Sequence, residues 1–384
     1  MRILAVGGGS GGHVTPVVAV LREIKKSHPK ADIRFWCDKK FAKQAKSIMN
    51  NFDDTIPVHT IFAGKLRRYH HISTIGHLLW PSLVLQNIID GFYVFLGFFQ
   101  SIIKLLLWRP DIVFAKGGYV CLPVGIATYL LNIPLVIHDS DAHPGLTNRI
   151  LSRFASCIAT GAPLEFYPYP SGKTHYVGIP ISSEFHRFSE KEKNIARKKW
   201  GIRTDRPLVV VTGGGLGASR INDAIITTLN EWQRIGSLIL VSGAGQYDEL
   251  RAITPPNDEN FQLHPFIFKD MASLLGTADV VISRAGATTI LELATLAKAT
   301  VLVPNAKLSG GHQLKNADVY QKRDAVIVVD ENELEKRPKI LAKEVKKIIE
   351  NPSLLRKMGD KLSDFARPNA ARDVADLILK NIKK

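Results

Sequence analysis

Two glycine-rich loops about half a chain apart carry the strongest chemical signal. The first follows Ile3-Leu4-Ala5-Val6 and reads Gly7-Gly8-Gly9-Ser10-Gly11-Gly12-His13. The second follows Leu208-Val209-Val210-Val211 and reads Thr212-Gly213-Gly214-Gly215-Leu216-Gly217-Ala218-Ser219. Each runs into a helical pattern, so backbone N–H groups and a helix N-terminus converge on one point, a geometry that suits a phosphate. His13 sits where a helix dipole disfavours the protonated ring, which leaves a neutral imidazole able to take a proton near pH 7. The alternative for His13 is a hydrogen bond to a loop carbonyl.

Other candidates follow apolar runs that read as strands. Lys116-Gly117-Gly118-Tyr119 is a tight loop whose glycines permit close backbone approach. His138-Asp139-Ser140-Asp141 holds two carboxylates that suit either a divalent cation or hydrogen bonds to hydroxyls and loop N–H groups. Two carboxylates without a third ligand favour the second reading, so no metal and no cofactor is expected. In the second half, Ser283-Arg284-Ala285-Gly286-Ala287-Thr288-Thr289-Ile290-Leu291-Glu292 opens a helix with small residues that leave backbone donors accessible. Glu292 is placed to accept from both hydroxyls of a ribose, or simply to favour the dipole as a first-turn acid. His312 and Gln313, after Ser309-Gly310-Gly311, carry the donors and acceptors a sugar needs.

The elements that position these groups alternate. Strands are expected at 2–6, 32–37, 57–62, 112–114 and 135–137, with helices near 14–28, 40–49, 121–131 and 145–154. The alternation resumes at 208–211, 237–241, 263–267, 279–283 and 300–303. Continuous apolar strands separated by helices imply parallel sheets buried on both faces. The expected fold class is therefore α/β, with two doubly wound Rossmann-like domains facing a cleft. A chain of 384 residues suits two such cores. The expected division is 1–180, 181–365 and a C-terminal helix 366–384, whose packing on the first domain the sequence leaves open, with 161–182 as the linker.

Cys37, Cys121 and Cys157 are too widely spaced for a disulfide framework or a metal knuckle and read as reduced core thiols. No signal peptide is expected before the strand at Arg2. The net charge of +16 is spread over both halves, 19 Lys/Arg against 10 Asp/Glu in residues 1–180 and 32 against 25 in the rest. No nucleic-acid-binding signature accompanies it, so an anionic membrane or a polyanionic substrate is the expected partner. Trp80 to Trp108 is unusually apolar, but Asp90, Gln100, Ser101 and Lys104 interrupt it, which argues against a span. With the basic Lys65–Arg68 cluster, it reads as a peripheral docking face, with purely internal packing as the alternative.

At these motifs the chain resembles the peptidoglycan N-acetylglucosaminyltransferase family of the MurG type. The matching stretches are 7–16, 64–69, 116–123, 138–148, 213–222, 284–292 and 312–317, in family order. The resemblance implies a GT-B fold and inverting, metal-independent transfer of GlcNAc from UDP-GlcNAc to undecaprenyl-linked lipid I, giving lipid II. It places the lipid diphosphate near Ser10, Gly11 and Gly12 with His13 at the reacting centre. It adds Tyr119, Asp141 and Asn148 on the acceptor side. The UDP diphosphate falls on Gly215, Leu216 and Ala287 to Thr289, the ribose on Glu292, the uracil near Phe268, and the sugar on His312 and Gln313. The family often has Asn at Asp141, Ser-Gln at Gly215-Leu216 and Arg at Ser182. It further implies a peripheral location on the cytoplasmic membrane face, alongside other cell-wall synthesis proteins. Rival readings are a related glycolipid synthase acting on diacylglycerol, an NAD-dependent oxidoreductase using Gly7-x-Gly9-x-x-Gly12 with Asp38, and a non-catalytic membrane scaffold.

Overall fold

The computed structural model describes residues 1–8, 11–65, 80–214, 217–267, 270–305 and 311–382, with backbone alone at 11–13. Contacts divide the chain into two units, Met1–Ser182 with Pro368–Lys384, and Ser183–Arg367.

In the first unit, seven parallel strands stand in the order β3-β2-β1-β4-β5-β6-β7. They are β1 (Arg2–Val6), β2 (Asp32–Asp38), β3 (Val58–Ile61), β4 (Ile112–Ala115), β5 (Leu135–Asp139), β6 (Cys157–Thr160) and β7 (Thr174–Tyr176). Side chains alternate across the sheet, so both faces of a central strand must be apolar. In β1, Ile3 and Ala5 enter one core with the helices Gly11–Ser27 and Ala42–Phe52. Leu4 and Val6 enter another with the helices Pro81–Trp108 and Cys121–Leu130. Cys37, Cys121 and Cys157 are buried free thiols.

The second unit repeats the plan with six strands in the order β10-β9-β8-β11-β12-β13. These are β8 (Leu208–Thr212), β9 (Ser237–Val241), β10 (Phe261–His264), β11 (Val280–Ser283), β12 (Ala299–Leu302) and β13 (Ile327–Val328). Strand order reverses between β1 and β4 in the first sheet, and between β8 and β11 in the second. Such switch points are where doubly wound sheets bind ligands, outside the carboxyl ends of the strands. The four glycine-containing loops leave those four strands.

Residues 161–182, expected as a linker, include β7, which pairs in parallel with β6. Its three residues are too short to show periodicity, and the Pro, Gly and Tyr content around them masks it. The C-terminal helix Ala370–Lys380 packs on the helix Gly11–Ser27 through Val374, Ala375 and Ile378, which lie in the first unit's core. Ile378→Ala should therefore cost about 2–5 kcal/mol in the unfolding transition of the first unit. Urea denaturation followed separately in each unit checks this; a loss confined to residues 183–367 would contradict it.

Candidate active site

The rim of the first sheet is built by close backbone approach. A Cβ on Gly8 would lie 2.5 Å from Asp38 Oδ2, and one on Gly118 would lie 2.7 Å from the Gly8 carbonyl oxygen. Gly118 also takes φ +87°, which disfavours any other residue. The loops after β1 and β4 are thus pressed together. Tyr119, next in the chain, donates its hydroxyl to the Asp38 carboxylate, and burial together with that bond raises the phenol well above its usual range. Asp38 also accepts from the Phe41 N–H at 3.1 Å. Its carboxylate is consumed inside the unit, so the ribose-binding role required by a dinucleotide enzyme is not available there.

Behind this rim lies a buried charge cluster that the motif spacing did not reveal. The Lys116 ammonium is enclosed and donates to Ser140 Oγ; burial lowers it to about 8, against the pull of Asp139 and Asp141. Asp139 accepts from the Tyr169 hydroxyl at 2.8 Å. Burial and the neighbouring Asp141 push Asp139 up to about 7, while bonds from Tyr169 and Asn148 and the Lys116 charge act the other way. Asn148 also donates to the His138 carbonyl at 3.2 Å, which ties the helix Leu146–Leu151 to the end of β5. The Asp141 backbone carbonyl accepts from the Tyr167 hydroxyl at 2.7 Å. Ser182 follows the stretch in which the Gly178 carbonyl contacts His138 Nε2 at 2.8 Å. Asp139 therefore reads as an internal carboxyl, and Asp141, half-buried, as the one on the rim.

His13 is the third residue of the helix Gly11–Ser27, so it follows the first loop at a helix start as expected. Its side chain and those of Gly11 and Gly12 lie outside the described residues, as do Ser10, Gly215, Leu216 and Phe268.

In the second unit, the loop after β8 turns through Gly214 (φ +78°) and Gly217 (φ +76°), with the Gly217 N–H bonded to the Gly214 carbonyl at 3.0 Å. A Cβ at Gly217 would strike the Ser242 carbonyl. After β11, Arg284 is buried against Glu331 and donates to the Val303 carbonyl at 3.1 Å, while Asn316 holds the Ala285 carbonyl at 3.1 Å. These bonds fix the entry to the helix Ala287–Thr295. That helix has no side-chain cap and no acid in its first turn. The N–H groups of Ala287, Thr288 and Thr289 are its first-turn donors, ready for an anion. Glu292 is the sixth helical residue, beyond the first turn, so the dipole-favoured reading fails. Its carboxyl has no hydrogen-bond or ion-pair partner among the described residues, and burial alone pushes it up to about 8. Gln313 uses its amide oxygen to accept from the Asn305 N–H at 2.8 Å. His312 opens the helix His312–Gln321 after Gly311, at φ +62°.

Three contacts around the candidate site escaped motif reading. Tyr169, Arg284 as an ion-pair partner, and the Asp38–Tyr119 bond join residues 30 or more apart in sequence. No local pattern announces them. Because Asp139 ionises less readily folded than unfolded, it favours the native state at low pH, and that contribution is lost as pH rises from about 4 through about 7. Asp139→Asn keeps an acceptor for Tyr169, so it should be near neutral at pH 5 and stabilising at pH 8. Denaturant melts at the two pH values check this; an equal effect at both would contradict it.

The whole chain has close counterparts. The glycosyltransferase family 28 N-terminal domain matches residues 3–160, and the C-terminal domain of that family matches residues 208–377. A Clostridium kluyveri protein named UDP-N-acetylglucosamine--N-acetylmuramyl-(pentapeptide) pyrophosphoryl-undecaprenol N-acetylglucosamine transferase is 31% identical over 385 residues, covering 100% of this chain and 99% of the relative. The protein of the same name from Listeria monocytogenes is 32% identical over 386 residues, with 100% of both chains covered. The crystal structure of Acinetobacter baumannii MurG matches with a TM-score of 0.71 and 26% identity over 99% of each chain. At 14% identity, the UDP-GlcNAc 2-epimerase of Neisseria meningitidis shares the fold alone, with a TM-score of 0.66 over 99% of this chain and 100% of that one. Two Rossmann-like sheets, motif loops at both switch points and full-length relatives above 30% identity lead to one conclusion: the chain belongs to glycosyltransferase family 28, in its MurG-type group of GT-B enzymes.

Proposed function

We propose that this chain moves N-acetylglucosamine from UDP-GlcNAc to undecaprenyl-linked lipid I to form lipid II, with the donor held by the second unit and the acceptor by the first. It is a UDP-sugar-dependent hexosyltransferase of peptidoglycan synthesis. The observation that supports the donor side best is Glu292, a desolvated carboxyl without a partner among the described residues, on the helix whose N-terminus is uncapped. Two ribose hydroxyls are the donors such a group lacks. Asp38, by contrast, is already used by Tyr119 and Phe41, which counts against the oxidoreductase reading.

In the proposed reaction the acceptor hydroxyl gives its proton to His13 as its oxygen attacks the anomeric carbon. The bond to the UDP oxygen breaks with its electron pair, and the configuration inverts. Donors fixed at the N-terminus of the helix Ala287–Thr295 receive the negative charge that develops on the diphosphate, the kind of preorganised term that carries most of such barriers. The uracil is assigned to the Phe268 segment, the diphosphate also to Gly215 and Leu216, and the sugar to His312 and Gln313. Ser10, Gly11 and Gly12 take the lipid diphosphate, with Tyr119, Asp141, Asn148 and Ser182 lining the acceptor side.

A peripheral location on the cytoplasmic membrane face fits the helix Pro81–Trp108. Leu83, Gly97, Ser101, Leu105 and Trp108 bury one side of it in the first unit. The interrupting polar residues lie on that side or its flank. Ser101 donates to the Gly97 carbonyl at 2.6 Å, and Gln100 accepts from the Phe62 N–H at 2.8 Å. Leu85, Ile88, Phe92, Phe95, Phe99 and Ile103 are exposed at spacings of three and four, an apolar stripe on the outer face.

Glu292→Ala should weaken UDP binding at least about tenfold, since two charge-assisted hydrogen bonds of about 1.5–3 kcal/mol each are lost. Because Glu292 must ionise to accept both hydroxyls, UDP-GlcNAc binding near pH 7 should release a proton, and Glu292→Gln should abolish that release. Calorimetry in buffers of different ionisation enthalpy reads both; unchanged affinity and proton count would return Glu292 to a structural role. His13→Ala should lower kcat about a hundred- to ten-thousandfold with UDP affinity intact. Steady-state kinetics with lipid I decide it, and a variant retaining about a third of kcat would shift the base role to Asp141.

A further inference from the structure

The outer stripe of the helix Pro81–Trp108 runs toward a cavity that the glycosyl transfer does not use. Arg34 and Trp36, two apart on β2, project from one face of the sheet. His59 on β3 is the register partner of Trp36. Lys104, Leu107 and Trp108 come down from the last turns of the helix. These six residues line a cavity of about 220 Å³ that opens to solvent, well above the ~10–15 Å³ of comparable volume that one water needs.

Its chemistry is one-sided. The Arg34 guanidinium lies 4.4 Å over the Trp108 ring, whose own N–H is taken by Asp32 at 3.1 Å. Among the described residues, neither Arg34 nor Lys104 has a carboxylate partner. Arg34 Nε and the Trp36 indole N–H are buried without a hydrogen-bond partner, and Trp36 is only 2% exposed. A buried donor without an acceptor is costly, so these groups call for an acceptor-rich ligand. Burial and the nearby Lys104 and Arg34 hold His59 below its usual value, as expected where positive charge is uncompensated. At the mouth, Leu107 is 83% exposed, and Ile103 and Leu106 beside it are exposed too.

We propose that this cavity binds the headgroup phosphate of an anionic membrane phospholipid, whose acyl chains lie along the exposed apolar stripe. The proposal rests on the membrane reading above and adds to it a stereospecific anion site. Phosphate supplies acceptors for Arg34, Lys104 and the Trp36 N–H, and the stripe explains why a lipid fits better than a free ion. The site is separate from the loops at the sheet's switch point, and the Lys65–Arg68 cluster beyond Lys65 falls outside the described residues.

The test uses the intact protein and flotation on vesicles of phosphatidylcholine alone or mixed with phosphatidylglycerol. The wild type should bind both and prefer the anionic vesicles. Arg34→Gln/Lys104→Gln should lose at least about tenfold of that preference while keeping its binding to neutral vesicles. Lys104→Gln alone, at a half-exposed position where folding is safe, should lose part of it. Phe95→Ser/Phe99→Ser should weaken binding to both vesicle types. A wild type that floats with neither would sink the membrane reading itself. Binding to both, with the preference intact in the double variant, would overturn only the headgroup site. Inorganic phosphate that binds the wild type as tightly as monomeric short-chain phosphatidylglycerol, and not the double variant, would assign the cavity to a free anion and overturn the lipid.

Discussion

At the switch point of the first sheet, the Gly8 carbonyl comes so close to Gly118 that Gly118 has no room for a Cβ, while Asp38 leaves none at Gly8. Much of the acceptor-side architecture depends on that contact. It sets the β1 and β4 loops side by side and aims Tyr119 at Asp38. It also leaves both loops facing outward from the carboxyl ends of their strands. The second sheet solves the same problem with Gly213, Gly214 and Gly217, two of them at positive φ. In both units backbone lines the rim, and only glycine lets the loops approach so closely.

Once backbone lines the rims, side-chain charge is pushed behind or beside them. Lys116, Asp139 and Tyr169 form a buried cluster in which desolvation moves the ammonium down and the carboxyl up, toward a shared neutral range. Such a cluster is stable only as a connected network, because any member left alone would be an uncompensated buried group. Arg284 and Glu331 play the corresponding part in the second unit, bracing the entry to the helix Ala287–Thr295. Glu292 departs from this pattern: burial raises it with no neutralising neighbour among the described residues, which is what the proposed ribose contact calls for.

The helix Pro81–Trp108 shows how a single segment can serve two environments. It is long and apolar enough to cross a bilayer, yet its buried stripe is committed to the core of the first unit. Around the helix axis, Asp90, Gln100, Ser101 and Lys104 fall away from the exposed stripe, which is therefore uninterrupted over about 30 Å at 1.5 Å per residue. Along the sequence the same four residues look like breaks in a hydrophobic run.

The sequence by itself determined the alternation of strands and helices, the α/β class and the two glycine-rich units, because these follow from local periodicity and backbone freedom within a few residues. It determined the family too, since the motif stretches recur in order along the whole chain. The short strands β6 and β7 and the burial of Asp139 were not legible there. A strand of three or four residues carries too little pattern, and burial depends on what other segments cover. Tertiary structure alone decided that Asp38 belongs to Tyr119, that Asp139 belongs to Tyr169, and that Glu292 stands beyond the first turn without a partner among the described residues. It also brought Arg34, Trp36, His59 and Lys104 around one cavity. Partners of that kind are chosen by distance in space, which folding sets and sequence separation does not encode.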